Sequence, residues 1–312
     1  MASSYGNLES FAGYDIVQWQ PGDALGDPQR VIHRISTDFD GEHAWSELLA
    51  AFLAQPGVEQ IQGLVVGYWG VDTLIDEDPN EVWVGALRAA APRFPELRVL
   101  YLNDISAEEH EVSWINNTDL SPLVMAFPGL THLGIRGGNN LELPALSLPA
   151  LDTLTIEAGG LSAEVVRQVL TADLPALRHL ELYLGTEDYG ATNSADDLTP
   201  ILDGTQFPRL TYLGLKNSDH QDQIAQLLVA APVTQRLEVL DLSMGVLTDE
   251  GGRALLDNPA LGHLKKLDLA FNWLSDEVRD QLIAWAKQQG VELDVSDPQD
   301  AEDDWRYVAL GE

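Results

Sequence analysis

Apolar and polar residues alternate in one short phrase that returns along most of the chain. FPELRVLYL (94–102), FPGLTHLGI (127–135), LPALDTLTI (148–156), LPALRHLELYL (174–184) and FPRLTYLGL (207–215) share Phe or Leu, then Pro, one residue, and L-x-x-L-x-[LI]. RLEVLDLSMG (236–245) and HLKKLDLAFN (263–272) keep the leucines without the proline, and IQGLVVGYW (61–69) is a degenerate copy. The first apolar position of each copy falls at 61, 97, 130, 151, 177, 210, 237 and 264. The alternation within a copy predicts a strand with its leucines on one face. The recurrence predicts a solenoid, each repeat burying its leucines against its neighbours.

Between the phrases the apolar period lengthens to three or four. SAEVVRQVLTAD (162–173), HQDQIAQLLVAA (220–231), TDEGGRALLDN (248–258) and SDEVRDQLIAWAKQQG (275–290) read as helices. Ser162, Thr248 and Ser275 stand where a cap is needed, with carboxylates in the first turn. Val or Gly at the third residue after each cap rules out a full capping box. The ends of a solenoid must be closed. Residues 1–60 are expected to cap one end, through strands in YDIVQW (14–19) and RVIHRI (30–35) and a helix in AWSELLAAFLA (44–54). Repeats then occupy 61–296, with VELDV (291–295) as a final strand. The acidic tail 297–312 either folds back through Trp305, Tyr307 and Val308 or stays disordered.

These phrases resemble the leucine-rich repeat, in particular the ribonuclease-inhibitor-like subtype, whose helix entry VLTDEGGRALL (246–256) is close to. The last copy carries the full L-x-x-L-x-L-x-x-N, ending at Asn272. Earlier copies place Ile105, Gly138, Gly159, Gly185, Ser218 or Gly245 at that ninth position, so glycine is expected to build several of the turns after the strands. The resemblance implies an α/β class fold, a right-handed horseshoe with a parallel β-sheet on the concave face and helices on the convex face. Over nearly the whole chain the sequence is similar to stand-alone bacterial repeat proteins with a VSWI-like insertion and an LGTEDYG-like loop. That likeness implies radical-SAM and ATP-grasp enzymes as gene neighbours, and with them a modifying enzyme or its peptide substrate as partner.

Charge narrows the partners. Fifty Asp and Glu against seventeen Lys and Arg leave a net −33, which repels nucleic acid and anionic membranes. Basic proteins or peptides are attracted, although the same acidity also serves solubility alone. No cysteine is present, which excludes disulfides, thiolate metal sites and cysteine nucleophiles. No apolar run is long enough to span a bilayer, and MASSYGNLESFAGYD lacks the basic and apolar regions of a signal peptide. A cytoplasmic monomer is expected.

Alternation also nominates a surface. Positions 3, 5 and 7 of each copy point away from the leucines. They supply Tyr101, Asn103, His132, Arg136, Glu157, His179, Glu181, Tyr183, Tyr212, Lys216, Asp241, Lys266 and Asp268 as candidate protein-binding residues on the concave face. That set is nearly neutral and rich in the types that anchor interfaces; an ordinary strand surface favours Tyr and Thr as well. Two insertions, EEHEVSWINNTDL (108–120) and GTEDYGATNSADD (185–197), lie where strands exit, so Trp114 and Tyr189 are rim candidates. The first is either structural, with Val112 and Trp114 alternating over a strand edge, or part of the binding surface. Its consecutive acidic residues cannot converge on one atom, and Trp114 stands where H-E-x-x-H needs its second histidine. DEDPNE (76–81) lacks the glycine of a calcium loop, LSMG (242–245) lacks the first glycine of a nucleophile elbow, and no phosphate or dinucleotide loop is found.

The expected function is therefore non-enzymatic binding of a protein or peptide, with no cofactor, metal or catalytic residue. An alternative is regulation or inhibition of a partner enzyme, in the manner of a ribonuclease inhibitor or a GTPase activator. An enzyme would need an acid–base pair, for which His179 with Glu181 or Glu157 are the candidates.

Overall fold

A computed structural model describes residues 6–37, 43–70, 78–301 and 305–311. DEDPNE begins outside them, at Asp76 and Glu77. The chain forms two compact units. One is built from the residues up to Glu157 with Ala172–Leu174, the other from Ala158–Thr171 and Pro175–Gly311.

In the first unit, β1 (Ser10–Phe11) is antiparallel to β2 (Tyr14–Gln18). From β2 the ladder runs parallel through β3 (Val31–Ile35), β4 (Gly63–Val66), β5 (Val99–Leu102), β6 (His132–Arg136) and β7 (Thr153–Glu157). The second unit stacks β8 (His179–Gly185), β9 (Tyr212–Ser218), β10 (Val239–Asp241), β11 (Lys266–Asp268) and β12 (Glu292–Asp294), also parallel. The repeat alignment is the hydrogen-bond register. Gly63, Val99, His132 and Thr153 are cross-strand partners in one unit, as are His179, Tyr212, Val239 and Lys266 in the other. A slip of one residue would move every leucine to the opposite face.

The leucines form the core. Leu100, Leu133, Leu154, Leu180, Leu213, Leu240 and Leu267 are fully buried, each contributing roughly 1.5–3 kcal/mol by leaving water. Helices cover that side with their own apolar stripes, such as Val165, Val166, Val169 and Leu170 of the helix Ala163–Leu170. The expected caps form: Ser162 Oγ accepts from the Val165 amide, Thr248 Oγ1 from Glu250 and Ser275 Oγ from Val278. Near the start of the first unit aromatic rings replace leucines, with Trp45 and Trp69 flanking Trp83 at 6.0 and 6.4 Å.

The turns after the strands differ from expectation. Left-handed backbone falls mostly at the eighth position of the repeat, where Gly137, Asn217, Met244 and Phe271 have φ of 92°, 55°, 68° and 50°, and at the seventh in Asn103, with φ of 61°. Only Gly185 serves at the ninth. Gly159 and Gly245 lack positive φ and are small for another reason: a Cβ on either would strike backbone or side-chain oxygen atoms. The insertion at 108–120 also departs from its reading. Val112–Trp114 is a 3₁₀ turn, so Val112 is buried while Trp114 is exposed, and no edge is covered by alternation.

Candidate functional site

Two polar clusters grow from the outward positions of the repeat, one in each unit. In the first unit Gly134 lets the Tyr101 ring lie across β6, since a Cβ there would collide with it. The phenol thereby reaches β7 and donates to Glu157 Oε1 at 2.8 Å. Arg136 donates to Glu157 Oε2 at 3.0 and 3.2 Å and to the Ile105 carbonyl at 2.7 Å. Asp104 accepts from Arg34 Nε at 2.7 Å and lies 3.8 Å from Arg136. Burial raises the Asp104 carboxyl above its usual range, against the pull of both guanidinium groups. The Tyr101 phenol is raised well above its ordinary value by burial and by Glu157. Asn103 is locked too, accepting from Trp69 Nε1 at 3.0 Å and donating to Asn117 at 2.9 Å.

Residues 6–16 close this face. The Leu8 amide donates to Asp104 Oδ1 at 3.1 Å, the Leu8 carbonyl accepts from Arg34, and the Gly6 carbonyl from Arg136. Phe11 packs edge-on against Tyr101 at 5.1 Å, and Leu8, Tyr14 and Ile16 join it on Val65, Val99 and Tyr101. Four candidates expected to point into solvent are buried: Tyr101, Asn103, Arg136 and Glu157. Residues 6–16 lie over Tyr101 and Arg136, which in turn hold Glu157, while Asn103 is enclosed by Trp69, Asn117 and the Arg136 carbonyl. His132 alone of this unit's strand-face candidates stays partly exposed.

The second unit carries the opposite arrangement. His179 and Tyr212 are neighbours in register and stack at 3.7 Å with 9° between their planes. Gly214 leaves the room they need, its absent Cβ being only 3.1 Å from Glu181 and 3.2 Å from the Tyr212 ring. Glu181 binds His179 Nε2 at 3.2 Å through Oε2 and Lys216 Nζ at 3.2 Å through Oε1. Tyr212 donates to Asp241 at 2.8 Å, and Lys216 lies 3.3 Å from Asp241 and 4.9 Å over the Tyr183 ring. One strand further, Lys266 pairs with Asp268 at 2.8 Å. Burial would raise Glu181, but the hydrogen bond from His179 and the charge of Lys216 outweigh it and hold the carboxyl down at about 2. Burial and the neighbouring Asp241 push Asp268 up.

His179, Glu181, Tyr212, Lys216, Lys266 and Asp268 are all part-exposed, whereas Tyr183 and Asp241 are buried by their neighbours in the cluster. Of the two rim candidates, Trp114 is exposed and Tyr189 packs against Gly311. Arg34, Asp104 and residues 6–8 had no signal in the repeat pattern. Among the described residues no group of His, Asp and Glu is arranged to hold a metal ion, and no helix is long and apolar enough to cross a membrane.

Comparison with known proteins agrees with the repeat. A family model described as "Leucine Rich repeat" matches residues 235–256 and 262–277. Thirty-seven chains of solved structures match. One is a crystal structure of a protein from Bacteroides fragilis, solved by a structural genomics consortium. It is 32% identical, covers 89% of this chain and 76% of its own, and superposes with a TM-score of 0.79. No curated protein matches.

Proposed function

The chain belongs to the leucine-rich-repeat proteins, and on that premise we propose that it is a non-enzymatic binding module. Leucine-rich repeats generally mediate protein–protein interaction. The contact surface in this reading is the outward strand face of the second unit. One observation carries it: the part-exposed His179–Tyr212 stack is held rigid from beneath by Glu181, Asp241 and Lys216. Pre-ordered aromatic groups lose little entropy on binding and commonly anchor interfaces. The acidic Asp268 and Glu181 suit a partner with basic groups, in line with the net charge of −33. The ribonuclease-inhibitor-like subtype, the cytoplasmic monomer and the division into a cap at 1–60, repeats at 61–296 and a tail at 297–312 belong to the same reading.

The partner captured by the wild-type chain, once purified, is titrated against Tyr212→Ala and His179→Ala, each checked for folding. Loss of about tenfold or more in affinity for at least one variant is expected. Changes on the helical side at Gln168, Gln226 or Arg279 are expected to leave binding intact. If those abolish it while both strand-face variants bind normally, the surface is wrongly placed. Turnover of a substrate dependent on His179 and Glu181 would instead make the chain an enzyme.

A further inference from the structure

After β12 the chain returns across the exits of β11, β10, β9 and β8. The segment Tyr307–Gly311 is read there largely through its backbone. Ala309 donates its amide to the Met244 carbonyl at 2.8 Å. Asn217 grips Leu310 from both sides, its Oδ1 accepting from the Leu310 amide at 2.8 Å and its Nδ2 donating to the Leu310 carbonyl at 2.6 Å. Trp273 Nε1 donates to the Tyr307 carbonyl at 3.2 Å. The side chains alternate as in an extended peptide. Val308 and Leu310 are buried at 6% and 1%, while Tyr307 lies outward at 49%, edge-on to Trp273 at 5.1 Å.

The receiving groove is built for this. Asn217 is completely buried, and apart from Leu310 its amide has only a 3.4 Å contact with the Ala158 carbonyl. Its fork would be left largely unmet without a peptide backbone, which is costly for a buried amide. At the end of the segment, Gly311 lies between Gly159 and the Tyr189 ring, and a Cβ on either glycine would collide. Tyr189 belongs to the rim insertion, so that insertion already closes over a peptide.

We propose that the groove formed by Asn217, Met244, Trp273, Gly159 and Tyr189 is a peptide-binding site of the second unit, distinct from the strand face, which the chain's own residues 307–311 occupy. Its external ligand is an extended segment of a partner protein with two apolar residues in alternation followed by glycine, the pattern Val308-x-Leu310-Gly311. Backbone recognition supplies the affinity, and the two buried side chains with the glycine supply selectivity. Because the resident segment is tethered, it competes at high effective concentration and sets a threshold that a partner must exceed.

The test uses the full chain. Val308→Asp with Leu310→Asp places two carboxylates where apolar side chains are buried and unlatches the segment. A labelled peptide of residues 305–311, followed by fluorescence anisotropy, is expected to bind this double variant about tenfold or more tighter than wild type, whose groove is filled. Adding Asn217→Ala is expected to lower that affinity about tenfold. A folded double variant that ignores the peptide overturns the proposal and makes the segment a fixed cap. If the double variant does not fold, a second arm decides. A protease site replacing residues 302–304 of the otherwise native chain is cut after folding, and the freed segment is expected to exchange with labelled peptide while the body stays folded. A body that unfolds on losing the segment, or a segment that never exchanges, contradicts the proposal. So does a stable dimer formed by exchanged segments, which would make the ligand a second copy.

Discussion

The two units use the same outward positions of the same repeat to opposite ends. In the first, Tyr101, Arg136 and Glu157 lie under residues 6–16 and close their charges among themselves, with Arg34 and Asp104 completing the set. In the second, Glu181, Tyr212 and Lys216 form a comparable network that stays part-exposed, with His179 stacked beside it. Alternation along a strand decides that a side chain leaves the core. What then covers it depends on another part of the chain. A buried network acts as structure, whereas a part-exposed one is what the proposed reading offers to a partner.

The largest expected difference between the units is in the response to losing a charge. Arg136→Ala leaves Glu157 without its cation in a closed site, with Asp104 still held by Arg34, and is expected to destabilise the protein by about 3–5 kcal/mol. Lys216→Ala removes a cation from the buried Asp241 but leaves it accepting from Tyr212, and leaves the part-exposed Glu181 hydrogen-bonded to His179, so it is expected to cost about 1–3 kcal/mol. Urea unfolding of both variants makes the comparison, and equal losses would mean that the two networks are equally buried. Removing core leucines should ignore the distinction. Leu133→Ala and Leu240→Ala are each expected to cost about 2–5 kcal/mol, and a markedly smaller loss at either would break the shared register.

That register was fully legible in the sequence, because leucine spacing is a local signal and parallel neighbours repeat it. The caps at Ser162, Thr248 and Ser275 were legible for the same reason. Residues 6–16 carry no repeat, so nothing in their pattern tied Leu8 to Asp104, 96 residues away. The same applies to Leu310, which meets Asn217 across 93 residues. The turn position was misread because Met244 and Phe271 adopt a left-handed backbone that their residue types rarely choose. The direction of these side chains was thus legible, and their exposure was decided by long-range contacts that periodicity does not encode.

Acid should separate the units more gently. His33 is buried in the first unit with neither ring nitrogen hydrogen-bonded, and burial lowers its pKa below 6.5. The unfolded chain then binds the proton more readily, so stability falls as pH drops below about 6.5, by at most ~1.4 kcal/mol per pH unit. Glu181 in the second unit is depressed from 4.5 to about 2, so its contribution is present above 4.5 and is lost as pH falls toward 2. Hydrogen exchange at pH 7, 5.5 and 3.5 is expected to show the first unit loosening before the second, and His33→Leu to reduce the early loss, with His110, also lowered by burial, supplying the remainder. Simultaneous loosening would set aside the role of His33. The smallest effect belongs to Lys266, a third exposed and paired with Asp268. Lys266→Ala is expected to change stability by no more than about 0.5 kcal/mol, and a loss several times larger would place it inside a closed network.

The central claim is that the second unit's strand face meets the partner while the first unit's is closed. Calorimetric titration of the purified partner against Tyr212→Ala and His132→Ala tests it most directly, since each alters a part-exposed residue of one unit. The account expects Tyr212→Ala to weaken binding about tenfold or more and His132→Ala to leave it within about twofold. Weakening by His132→Ala with normal binding by Tyr212→Ala would contradict it.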